Sequence, residues 1–315
     1  MRSHFKGEIQ FMKHRRAFFV ISGVLIALSI VGILARGLVF GIEFIGGTEI
    51  DFRDTGEITI EQMRDALADA GEGEATVQTS VTDGATGFLV RSGTTDPQTA
   101  TDHANQVADR LGLEDSSYQV TTIGPDWGAD VTRSSLLAFF VAIAAIIVYV
   151  SIRYEFKMSI SAVIALVHDL LITIGVYAWT QMPITPNVVA ALLTIMGYSL
   201  YDTVVEFNRI DENAKQLSDG KHHTYDEIAN YSINEVIVRT INTTITSIVP
   251  VICMLAIGGS TLRDFAFAMF VGELLGTYSS FAVASQILCV WKGKEPKWAK
   301  IAAKYRDTAT PAQEA

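Results

Sequence analysis

Apolar residues crowd into the first 40 positions and into the second half of this chain, in runs long enough to cross a bilayer. A hydrocarbon core of about 30 Å takes roughly 20 predominantly apolar residues at a helical rise of about 1.5 Å each. Six stretches have that length: Ala17 to Ala35, Ser134 to Ile152, Met158 to Trp179, Asn187 to Phe207, Thr240 to Ile257 and Phe265 to Val290. The basic run Lys13-His14-Arg15-Arg16 before the first stretch resembles the start of a cleavable signal peptide. The apolar stretch is too long for a signal-peptide core and no small-x-small site follows cleanly, so it reads as a retained helix.

Between the first two spans the pattern changes to short alternating segments. Thr48 to Arg53, Thr76 to Ser80, Gly87 to Arg91 and Tyr118 to Ile123 alternate like strands. Thr59-Ile60-Glu61-Gln62 has the form of a capping box opening a helix to Ala70, and Asp96-Pro97 supplies an N-cap and first-turn proline for a helix to about Leu111. Thr82-Asp83-Gly84-Ala85 is the turn between the middle strands. The order is β-α-β-β-α-β, a ferredoxin-like α+β domain. The expected division is therefore an N-terminus at 1–16, span one at 17–40, the domain at 41–130, spans two to six at 131–291 and a tail at 292–315.

Charge gives the orientation. Arg2, Lys6, Lys13, Arg15 and Arg16 precede span one, Arg153 and Lys157 fill the second loop, Arg209, Lys215 and Lys221 the fourth, and more follow span six. By the positive-inside rule these loops and both termini are cytoplasmic. Residues 41–130, with about 18 acidic residues against 4 basic, lie outside. With 24 Lys and Arg against 34 Asp and Glu, the chain has no basic stripe for nucleic acid. The domain holds one histidine, His103, and no cysteine, and its spacing suggests neither a metal site, a nucleophilic triad nor a cofactor loop. A binding or docking domain, not an enzyme, is the expectation. Cys253 and Cys289 both fall within spans.

An ionisable group inside a span costs about 2.5 to 3.5 kcal/mol on insertion scales, so each one asks for a reason. His168 and Asp169 lie mid-span in the third stretch; Asp202 and Glu206 lie one turn apart in the fourth; Arg239 opens the fifth; Glu273 lies in the sixth. Glu206 and Arg239 are near enough to the interface for snorkelling to explain them. Glu273 is flanked by Gly272 and Gly276, a spacing that also serves close helix packing. Arg239, Asn242, Thr243 and Thr246 make a polar face on span five, and Tyr198, Asp202 and Glu206 one on span four. If these faces meet, Asp202 and Arg239 form a pair that protonation of Asp202 would release. A static pair would look the same in sequence, but the additional carboxylates and histidine favour a proton relay of Asp202, Arg239, Asp169 and His168.

Together these residues resemble the SecD/SecF family of bacterial protein-export membrane proteins, on its SecF side, within the RND superfamily. The resemblance rests on Gly41-Ile42-Glu43-Phe44-Ile45-Gly46-Gly47-Thr48, Ala165-Leu166-Val167-His168-Asp169, Gly197-Tyr198-Ser199-Leu200-Tyr201-Asp202-Thr203, Arg209-Ile210-Asp211-Glu212-Asn213 and Arg239-Thr240. It covers nearly the whole chain. It implies an RND-like bundle in the bacterial inner membrane, a heterodimer with SecD, association with the SecYEG channel and with YajC and YidC, and proton-driven support of preprotein translocation without covalent chemistry. It also implies that Asp202 and Arg239 are the essential intramembrane pair. The chain departs from the family pattern at Asn208, where an acidic residue is expected, and it lacks a fused SecD half. Gly46 and Gly47, between span one and the first strand, could serve as a hinge or only as a tight turn. An RND-type small-molecule or lipid exporter and a purely structural subunit are the competing readings.

Overall fold

The computed structural model describes residues 9–82, 85–114, 117–218 and 224–308. Arg2, Lys6, Lys221 and the turn centre Asp83-Gly84 lie outside the described residues. Six helical segments are long and apolar enough to span a membrane: Met12–Arg36, Pro125–Arg153, Phe156–Thr180, Pro186–Gln216, Tyr225–Ile257 and Leu262–Lys292. The first five correspond to α1 (Arg15–Arg36), α5 (Pro125–Arg153), α6 (Phe156–Thr180), α7 (Pro186–Ser218) and α8 (Tyr225–Ile257). The sixth is composite. In it α9 (Gly259–Ser279) passes through a π-helical turn at Ser280–Ala284 into α10 (Ser285–Lys292). A further helix, α11 (Pro296–Thr308), follows and seats Trp298 against Tyr225, with ring centroids 5.1 Å apart.

The helices run beyond their apolar windows, most of all α8. It begins at Tyr225, not near Thr240, because Thr224 and Glu227 form a reciprocal capping box. The added turns bury Tyr225, Ile228, Ala229 and Ile233 among polar neighbours, a pattern that an apolar run cannot reveal. Arg239 therefore lies near the middle of a helix and not at its start.

Helices α6, α7 and α9 form the centre of the bundle. In α5 only Gly128 and Val150 are buried, and in α1 only Ser22, Ser29 and Gly32, so both present apolar side chains such as Leu28, Leu34, Phe140 and Ile152 outward. Small residues set the closest approaches. A Cβ on Gly175 would lie 2.2 Å from Ser29 Cβ, and one on Gly272 would lie 2.3 Å from Ile195. On the domain side of the bundle an apolar cluster of Val188, Leu192, Ile195, Met196, Ala266 and Met269 closes the interior.

The domain between α1 and α5 is ferredoxin-like. Its elements are β1 (Gly47–Phe52), α3 (Ile60–Asp69), β2 (Thr76–Thr82), β3 (Ala85–Ser92), α4 (Pro97–Leu111) and β4 (Tyr118–Ile123), preceded by a short helix, α2 (Ile42–Ile45). The sheet order is β2-β3-β1-β4, with every neighbouring pair antiparallel. Ile50 stands opposite Val90 on one side and Val120 on the other, which places Ile50, Phe52, Phe88 and Val90 on one face. That face packs on Met63 and Leu67 of α3 and Ala104 and Val107 of α4.

Both helix starts expected from the sequence are made. Thr59 and Gln62 form the capping box of α3. Asp96 accepts from the Thr99 hydroxyl at 2.6 Å and from its backbone N–H at 2.8 Å, and these bonds hold its carboxyl below the ordinary range. A carboxylate with a lowered folded-state pKa contributes stability above its unfolded value and loses it as the pH falls through the folded one. The domain of the Asp96→Ala variant is thus expected to melt below the parent at neutral pH and to converge with it in acid. Thermal melts at pH 7 and below pH 3 check this.

The polar face of the sheet meets the bundle. Arg91 donates to Glu49 at 2.7 Å and to Gln78 Oε1 at 3.2 Å, while Gln78 Nε2 donates to the Gln181 carbonyl in the α6–α7 loop at 3.2 Å. Burial raises the Glu49 carboxyl above its usual range, with Arg91 opposing that shift. The chain leaving α1 is tied to the same loop by Gly41 N–H to Ile184 carbonyl, 2.9 Å, and Ile184 N–H to Val39 carbonyl, 2.8 Å.

Candidate functional site: buried carboxylates in the bundle

Because residues four apart share a helix face, α7 turns Asp202 and Glu206 inward together. Both are buried, at 2% and 0% exposure. Glu206 accepts from Ser285 at 2.7 Å, and Ser285 is the residue that follows the π turn. Such turns occur often at functional sites, where the extra residue re-aims a side chain. Snorkelling does not describe Glu206, because α7 continues to Ser218 and carries this carboxyl into the interior. Asp202 Oδ2 and Glu206 Oε1 are both buried without a hydrogen-bond partner among the described residues, and Glu206 is held through its other oxygen by Ser285.

Asp169 is the best-satisfied acid. Its Oδ1 accepts from His168 Nδ1 at 2.9 Å and its Oδ2 from Ser199 at 2.6 Å and Ser279 at 2.7 Å. One carboxylate thus joins α6, α7 and α9. His168 stacks on Tyr278, with ring centroids 6.2 Å apart.

Arg239 does not form an ion pair with Asp202. Its Nη2 donates to the hydroxyl of Tyr201, the residue before Asp202, at 3.0 Å, and both Arg239 and Tyr201 are exposed on the outside of the bundle. The polar faces of α7 and α8 therefore do not meet as their spacing suggested. Arg239, Asn242 and Thr246 point outward, while Thr243 and Thr246 satisfy their hydroxyls on the carbonyls of Arg239 and Asn242 in their own helix. A neighbouring stripe of Thr240, Thr244, Ser247 and Val251 turns inward instead. Tyr198 donates to Thr244 at 3.0 Å, Thr244 and Thr277 are 2.7 Å apart, and Ser247 donates to Glu273 at 2.9 Å. Sequence reasoning missed this stripe because threonine and serine at helical spacing are common, and the charge on Arg239 drew the reading to the outward face alone.

On the far side from the domain, Arg209 binds Glu235 through Nε and Nη2, each at 2.7 Å, and Glu212 at 2.7 Å, clamping α7 to α8. Asn208 is exposed beside this clamp. Among the described residues no group of three or more His, Cys, Asp or Glu could hold a metal ion.

The family model described as protein export membrane protein SecD/SecF, C-terminal, matches residues 104–294, more than half of the chain. The chain belongs to the SecD/SecF family. Within it, the protein translocase subunit SecF of Rhodothermus marinus is 36% identical over 303 residues, covering 91% of this chain and 94% of the relative. SecF of Streptomyces coelicolor is 34% identical, covering 92% and 79%. SecDF of Bacillus subtilis is 33% identical over 91% of this chain but only 38% of its own length. Among solved structures, SecDF from Thermus thermophilus, described as a translocon-associated membrane protein, superposes with a TM-score of 0.82 at 32% identity. That match covers 92% of this chain and 39% of the solved one. SecDF in a form called super-membrane-facing gives 0.66 at 31% identity, covering 95% and 40%. This SecF-type chain is thus a multi-pass membrane protein of the protein-export apparatus, and it spans about two-fifths of each solved SecDF chain.

Proposed function

We propose that this chain pairs with a SecD partner in the bacterial cytoplasmic membrane, with both termini cytoplasmic. In this reading the pair uses the proton-motive force to support preprotein translocation through SecYEG, with YajC and YidC as further neighbours. The observation that carries the proposal is the Asp202 site. A buried carboxylate with one oxygen unpartnered stands beside a tyrosine that holds an arginine on the outer surface of the bundle. An arginine facing lipid would cost about 2.5 to 3.5 kcal/mol, so the Arg239, Asn242 and Thr246 face calls for a protein cover. The fused SecDF relatives make a SecD half the fitting one. Protonating Asp202 removes its attraction for Arg239 and gives the interface two electrostatic states. A charge moved across about 100 mV is worth roughly 2.3 kcal/mol, enough to bias such an element.

Asp169 and His168 extend the relay inside the chain, and Glu206 continues the polar line toward the cytoplasmic end of α7. Tyr198, the half-buried Thr243 and the outward Asn242 and Thr246 support it. Coupling to the outer domain runs through the Arg91–Gln78–Gln181 contacts and the Gly46-Gly47 turn.

The test is Asp202→Asn in the assembled SecD pair. The part of preprotein translocation that depends on the proton gradient should disappear while ATP-driven translocation and copurification with SecD persist. An increment as sensitive to a protonophore in the variant as in the parent would refute the reading.

A further inference from the structure

One buried acid of the bundle has no part in this scheme. Glu273 on α9 is 2% exposed and lies in the middle of the sixth span. The packing role suggested by its flanking glycines belongs to the glycines themselves. Gly272 makes room for Ile195, and a Cβ on Gly276 would lie 2.9 Å from Ser199 Cβ. The Glu273 carboxyl instead enters a chain of hydroxyl groups that crosses three helices. Ser247 Oγ on α8 lies 2.9 Å from Glu273 Oε2 and 3.4 Å from the hydroxyl of Tyr198 on α7. Tyr198 in turn donates to Thr244, which meets Thr277.

We infer that Glu273 is a further proton-carrying carboxylate, which exchanges its proton with Asp202 through Ser247 and Tyr198. The inference rests on the proton-driven reading and adds to it a branch on the domain side of Asp202. Position supports that direction. Tyr198 and Asp202 share a face of α7 one turn apart, about 6 Å along the axis, with Tyr198 nearer the domain. Gly272, next to Glu273, packs on Ile195 of the apolar cluster that closes the bundle on that side. Glu273 is therefore the first carboxylate met inside the seal. From α8 it is met by Ser247, which also reaches the Tyr198 hydroxyl of α7, while Asp169 of α6 is engaged further along α9 by Ser279.

The transfer balances without a further reactant. Protonated Glu273 gives its proton to the Ser247 oxygen as the hydroxyl hydrogen of Ser247 moves to Tyr198. The hydrogen of Tyr198 then passes across one turn, over a bridging water, to Asp202. Glu273 ends as a carboxylate and Asp202 as a carboxylic acid, and each hydroxyl keeps one hydrogen. A water can bridge two polar groups that are too far apart for direct contact.

Glu273→Gln separates this role from packing. The amide keeps the size of the side chain and still accepts from Ser247, but it carries no exchangeable acid proton. In vesicles holding the assembled SecD pair, Glu273→Gln should lose most of the gradient-dependent translocation, and Glu273→Asp should retain it. Tyr198→Phe, which keeps every carboxylate but breaks the chain, should lose as much as Glu273→Gln, and the double variant no more than either. If Asp202→Asn abolishes the increment while Glu273→Gln leaves it at the parental level, this inference falls and the relay through Asp202 stands. If Asp202→Asn has no effect, both fall. Should Glu273→Gln fail to copurify with SecD, Tyr198→Phe decides, and a parental increment in that variant overturns the inference.

Discussion

Replacing Asp169 by alanine is expected to destabilise the bundle by about 3–5 kcal/mol, while Asp169→Asn costs far less. A hydrogen bond between helices in a membrane protein is worth only about 0.6 kcal/mol on average, so the lost bonds alone would be a modest effect. Orphaned donors decide the outcome. Asp169 is 0% exposed and accepts from His168, Ser199 and Ser279; alanine would leave His168 and Ser199 without an acceptor in a closed interior and Ser279 with only the Gly276 carbonyl at 3.3 Å. Each buried unsatisfied group costs about 1–3 kcal/mol. Asparagine keeps one acceptor oxygen at the junction and relieves most of that penalty. Thermal unfolding in detergent checks the order, with the midpoint of Asp169→Ala falling by more than about 5 °C. Equal midpoints for the two variants would show that the junction is not what holds α6, α7 and α9 together.

Gly47→Val is expected to disrupt the outer domain while leaving the bundle assembled. Gly47 has φ 128°, a region that L side chains rarely adopt, and a Cβ there would lie 2.4 Å from the Ser92 carbonyl oxygen. Held strain of that kind costs about 1–3 kcal/mol before any clash with the backbone. Strand β1 lies inside the sheet between β3 and β4, so a shift at its first residue reaches both ladders. A domain of this size has little stability in reserve. Gly37 is the control. It has φ 70° and ψ −175° with nothing within 4 Å of a Cβ, so Gly37→Ala should cost only the backbone strain, about 1–3 kcal/mol, with no clash added. Limited proteolysis of intact membranes reads both variants: Gly47→Val should expose the domain to cleavage, and Gly37→Ala should not. Equal protection would mean that the turn at Gly46-Gly47 tolerates a side chain, as an open hinge would.

The domain was almost fully legible in the sequence, because its signals are local. Alternation gives the strands, Thr59 and Asp96 mark the helix starts, and a β-α-β-β-α-β order leaves few ways to close a sheet. The short helix α2 escaped notice, since four residues ending at a glycine carry no periodic pattern. In the bundle, the centres of the spans followed from hydropathy alone. Their ends did not, because α7 and α8 continue as amphipathic helices past the point where apolar runs stop.

The charged residues divide in the same way. That Asp169, Asp202, Glu206, Arg239 and Glu273 stand at membrane depth is a property of the sequence, since span length and composition place them there. Which of them meet is not, because a helix periodicity fixes faces relative to one another but leaves the rotation of the helix in the bundle free. Tertiary packing set that rotation. It turned Thr244 and Ser247 inward and Arg239 outward, gave Asp169 partners from α7 and α9, brought Ser285 to Glu206 past a π turn, and left Asp202 an unpartnered oxygen. The sequence by itself determined a six-span protein with a ferredoxin-like domain and acids where lipid would not tolerate them. Only the packed helices decided which acids are held, because contacts between helices depend on close approaches such as Gly175 with Ser29 and Gly272 with Ile195 that no single helix encodes.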